Sequence, residues 1–124
     1  MTLKPVHERW LVILIAVHSY GIAAVLIGAP GWGAPFGGWQ PISPVFFAHQ
    51  AGAFHLVLAT AYLLEHFRYR GVTILVTAKT LAVIFLSAEW LLADVPWSVP
   101  LSALVDGAMA VAAFLVHRAV SRPE

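Results

Sequence analysis

Six ionisable side chains lie inside stretches that are otherwise strongly apolar: His18, His49, His55, Lys79, Glu89 and Asp106. A charge at the centre of a bilayer costs about 2.5–3.5 kcal/mol even on the lenient insertion scale. Such groups therefore need partners, and the chemistry they could perform is limited. Two histidines at matched depth on facing helices could ligate a haem, and His18 and His55 differ by about three residues of depth, roughly 4–5 Å. A quinone site needs hydrogen-bond donors beside an apolar groove, which His18, His55, Tyr62, Lys79 and Asp106 could line. A ladder of titratable groups could pass protons if water bridged its gaps.

Other chemistries find little support. There is no HExxH motif, phosphate-binding loop, dinucleotide fingerprint or serine-centred nucleophile motif, and cysteine is absent. The absence of cysteine removes thiolate catalysis, iron–sulfur ligation and Cys-type zinc sites. No metal site is expected beyond the two-histidine haem possibility.

Of the 124 residues, 60% are hydrophobic and 10% charged. An ordinary soluble domain has about 25% charged residues, so the expected class is an all-α integral membrane protein. The net charge of +1 gives no reason to expect nucleic-acid binding. Each span needs about 20 apolar residues. Four segments qualify, at about 10–28, 44–66, 72–93 and 100–117, within a single transmembrane domain over 1–124. No cleavage site follows the first apolar run, which reads as a retained helix.

The connection at 29–43, "APGWGAPFGGWQPIS", is rich in Gly, Pro and Trp and is expected not to be regular helix. It reads as an interfacial loop or, more sharply, as a lid over an opening among the helices. Lys4, Arg9, Arg68, Arg70, Arg118 and Arg122 fall at the two ends and in the second connection, while the first and third connections hold no Lys or Arg. The positive-inside rule then expects both termini in the cytoplasm. Trp32, Trp39, Trp90 and Trp97 mark the opposite interface.

Depth and helical facing sort the polar residues. His18 and Lys79 share a level nearer the cytoplasm, His55 and Asp106 one near mid-membrane, and His49 and Glu89 one in the outer half. His55 and Tyr62 share a stripe of the second helix. Lys79 and Glu89 are ten residues apart, roughly 15 Å, and so do not partner each other. Lys79 is expected to reach toward Asp106 or Glu65, or to sit near His18, with Asp106, which cannot snorkel, the favoured partner; a snorkelling Lys79 and a ligand-contacting or proton-carrying Lys79 are the alternatives. His49 and Glu89 can be served by the outer interface. His7, Glu8, Glu65, His66 and His117 are expected to be solvated at the cytoplasmic boundary.

A first helix, a loop ending "GGWQPISPVFF", the stretch "HQAGAFHLVLATAYLLEHFRYRG" and a fourth helix around "ALVDGAMAV" together resemble the DoxX-like group of small four-helix bacterial membrane proteins. The resemblance covers most of the chain by layout and hydropathy. It implies a four-helix bundle in the bacterial inner membrane, multi-pass, in some members tied to redox systems that use quinone, and it assigns no catalytic residue.

The functional expectation is an accessory or ligand-binding subunit for quinone, haem or another lipophilic ligand, beside a membrane redox complex, rather than a self-sufficient enzyme. The alternatives are a proton-coupled transporter or channel acting as a homo-oligomer, and a structural assembly factor. Partners would be membrane lipids and other membrane subunits or further copies of the chain.

Overall fold

The computed structural model describes residues 3–122; the ends of the expected 1–124 unit, residues 1–2 and 123–124, lie outside the described residues. The fold is all-helical: α1 (Pro5–Gly28), α2 (Pro30–Phe36), α3 (Phe46–Tyr69), α4 (Thr73–Leu92) and α5 (Ser98–Val120). The four longer helices are each long and apolar enough to cross a membrane. Their outward faces carry large exposed apolar side chains, among them Leu14, Phe54, Leu81, Phe85 and Leu104. Apolar surface of that extent needs a lipid-like solvent.

Two helix pairs, α1 with α3 and α4 with α5, make the main contacts, and α1–α5 and α3–α4 contacts join the pairs. The α1–α3 pair is antiparallel. Near one end Gly52 faces Ala23, Leu26 and Ile27, and a Cβ there would lie 3.2 Å from the Ala23 carbonyl oxygen. In the middle the Tyr20 and Thr60 hydroxyls are 2.8 Å apart. At the other end Arg9 lies 5.3 Å over the Phe67 ring. Small residues permit this close approach where lipid supplies no hydrophobic drive between helices.

The apolar core, Val12, Ile15, Tyr62, Val72, Leu75 and Ala113, occupies the half of the molecule where α1 begins and α3 and α5 end.

Helices α1, α3 and α5 run further at one end or both than the hydropathy pattern indicates, whereas α4 stays within the expected 72–93. Pro5 opens α1 at its first helical position, where its missing N–H costs nothing. The connection expected to lack regular helix contains α2. Pro30 opens it, and the Trp32 and Gly33 amides bond to the Ala29 carbonyl. Seven residues need few intrahelical bonds, so Pro35 near its end is tolerated. Gly33 is required because a Cβ would overlap Val25 of α1. Phe36 stacks on Trp32 at 5.2 Å and meets Trp97 edge-on at 6.1 Å, which ties α2 to the start of α5.

Candidate functional site

Lys79 Nζ donates to Asp106 Oδ1 at 2.6 Å, linking α4 to α5. The side chains are 4% and 15% exposed, so neither charge depends on bulk water. The register explains how they meet. A Cβ on Gly107 would touch Val83 at 3.6 Å, which puts those two residues at one level. Lys79 precedes Val83 by four residues and Asp106 precedes Gly107 by one. The helices are antiparallel, so the axial gap is about 7 Å. The lysine stem spans it by extending away from the nearer helix end, the reverse of snorkelling.

His18 sits on α1 and His55 and Tyr62 on α3, and these helices meet α4 and α5 through the α1–α5 and α3–α4 contacts. With Lys79 and Asp106, the five residues come from all four long helices. Tyr62 is itself a core residue, 2% exposed. His18 Nδ1 and the neighbouring Ser19 Oγ are sealed from solvent and have no hydrogen-bond partner among the described residues. A buried polar atom left unpaired costs about 1–3 kcal/mol.

Gly52 of α3 packs against Ala23 and Leu26 of α1, which puts His18 near the level of Ala59. His55 precedes Ala59 by four residues, an axial offset of about 6 Å. Among the described residues no group of three or more His, Asp or Glu side chains is placed to hold a metal ion.

His49 is exposed near the start of α3, and Glu89 is partly buried near the end of α4. The structure does not bring either into the cluster.

Of the five residues expected to be solvated, His7 is exposed and Glu65 and His117 are partly exposed, whereas Glu8 and His66 are buried. His117 Nδ1 lies 2.5 Å from Glu8 Oε1, joining α5 to α1, and Glu8 is 6% exposed. The Lys4 amide donates to His7 Nδ1 at 2.9 Å. His66 is buried, with its Nδ1 unpaired among the described residues. Glu65 accepts from the Thr73 and Ile74 amides at 3.0 and 2.7 Å and so caps α4. Free amides at a helix start favour a carboxylate. The short "EHFRYRGVT" turn held that signal; Glu8 and His117, 109 positions apart, offered none.

No family model, curated protein or solved structure matches the chain.

Proposed function

We propose that the chain is a small multi-pass subunit of the bacterial inner membrane that holds a lipophilic quinone-type ligand and works beside a membrane redox complex. The observation that carries the proposal is His18 Nδ1, a buried ring nitrogen with no hydrogen-bond partner among the described residues. A quinone carbonyl accepts hydrogen bonds, and a histidine N–H and a phenol are suitable donors. The exposed apolar faces of the helices would take the ligand's tail.

In this proposal the four long helices form a bundle with both termini cytoplasmic. The confinement of every Lys and Arg except Lys79 to three segments supports that orientation. The layout similar to the DoxX-like group supports the redox association.

Lipid extracts of protein purified in mild detergent, analysed for quinone by chromatography, test the proposal. The wild type should carry quinone, and His18→Leu and Tyr62→Phe should each lose most of it while remaining folded. A stable His18→Leu protein with undiminished quinone contradicts the proposal.

One observation favours a second reading, a structural assembly factor. Lys79 and Asp106 satisfy each other directly, as they would if they served only to lock helix packing. In that case neither variant changes ligand content.

A further inference from the structure

Away from the central cluster, a cavity of about 450 Å³ opens where α1 begins and α3 and α5 end. Its polar wall includes Arg9, Arg70 and His66, and its apolar wall includes Val6, Phe67 and Val120. Glu8 also lines it, but its carboxylate is bonded to His117, and the two guanidiniums outnumber it. The nearby Glu65 carboxylate is committed to the α4 amides. Arg9 is held against the wall by its stacking over Phe67. His66 is more than nine-tenths buried, and its Nδ1 is unpaired among the described residues.

Arg70 adds an independent observation. It terminates α3 in the left-handed region, at φ 54° and ψ 30°, and it is the one non-glycine among the described residues with positive φ. Glycine takes this conformation without the Cβ penalty, and a glycine, Gly71, is the next residue. The chain nonetheless places an arginine where glycine is cheaper, and that arginine lines the cavity. Strain of this kind persists where the side chain has work to do.

We propose that the cavity binds the phosphate of an anionic phospholipid. Arg9 and Arg70 donate to the phosphate oxygens, and the acyl chains run along Val6 and Phe67. Guanidinium groups suit phosphate because they present several donors in a fixed fork. The cavity lies at the margin of the apolar belt, the level of lipid headgroups, and it pairs cationic with apolar walls, which fits a lipid better than a free anion. The proposal rests on the four membrane-crossing helices and is independent of the quinone proposal.

Delipidated protein in detergent, titrated with phosphatidylglycerol or phosphatidylcholine and followed by native mass spectrometry, tests it. Inorganic phosphate is assayed in parallel by thermal shift. Phosphatidylglycerol should bind at least about tenfold more tightly than phosphatidylcholine, and Arg70→Gly should lower its affinity by about tenfold, as expected for a lost charge-assisted contact. Lipid-free Arg70→Gly should melt no lower than the wild type, since glycine relieves the strained turn; a purely structural Arg70 would show no affinity change. Arg9→Gln gives a second measure through a residue outside the turn. Unchanged phosphatidylglycerol affinity in either folded variant, equal binding of the two lipids, or a shift reproduced by inorganic phosphate alone would each overturn the proposal.

Discussion

Lys79 of α4 reaches away from its nearer helix end to meet Asp106 of α5, with 2.6 Å between Nζ and Oδ1. A lysine about seven residues from an interface could direct its ammonium toward headgroups at modest cost. This one instead takes its charge deeper, to a carboxylate too short to escape. The pair thus offsets two desolvation costs with one contact, and it fixes the axial register of α4 against α5.

The α3–α4 turn makes a coupled prediction. A Cβ on Gly71 would sit 2.7 Å from Glu65 Oε1, the carboxylate that caps α4. Glu65→Ala should cost about 0.5–2 kcal/mol, the range for a lost helix cap. Gly71→Ala should be destabilising in the wild type, because it displaces the cap, and close to neutral in the Glu65→Ala background. Thermal unfolding of the four proteins in detergent measures the coupling, and additive losses would mean the contact is unimportant.

The Glu8–His117 contact predicts an asymmetry. Glu8 is 8% exposed through its side chain and His117 is 32% exposed. His117→Ala strands a buried carboxylate and should cost about 2–3 kcal/mol. Glu8→Leu leaves a histidine that can reach water, and should cost less than about 1 kcal/mol. Comparison of the two melting temperatures decides the order, and the reverse order would show that Glu8 is not the sealed partner.

The proposed orientation predicts where reporters face. Fusions in the Arg68–Arg70 turn, or after Glu124, which lies outside the described residues, should read cytoplasmic. A fusion within residues 31–40 should read external. An external signal from the C-terminal fusion would invert the proposed topology.

The four long helices were legible because apolar runs of this length have few other uses. The Lys79–Asp106 pairing was legible because Asp106 is the nearest anion unable to reach solvent. The polar terminal turns of α1 at Pro5 and of α3 at Tyr69 were not legible because the hydropathy pattern fades before them. Helix α2 was hidden by its Gly and Pro content, since its closeness to Val25 is a tertiary reason for Gly33. The Glu8–His117 contact depends wholly on how α1 and α5 pack, which has no local pattern.

The most direct measurement is a double-mutant cycle of Lys79→Met and Asp106→Leu in which both stability and bound quinone are read. Removing one member of a buried pair costs about 3–5 kcal/mol, whereas replacing both with apolar residues is often near neutral. The account predicts that each single variant loses stability, that the double variant recovers much of it, and that the recovered protein still carries little quinone. A recovered double variant with full quinone content would contradict a functional role for the cluster, and additive stability losses would contradict the pairing itself.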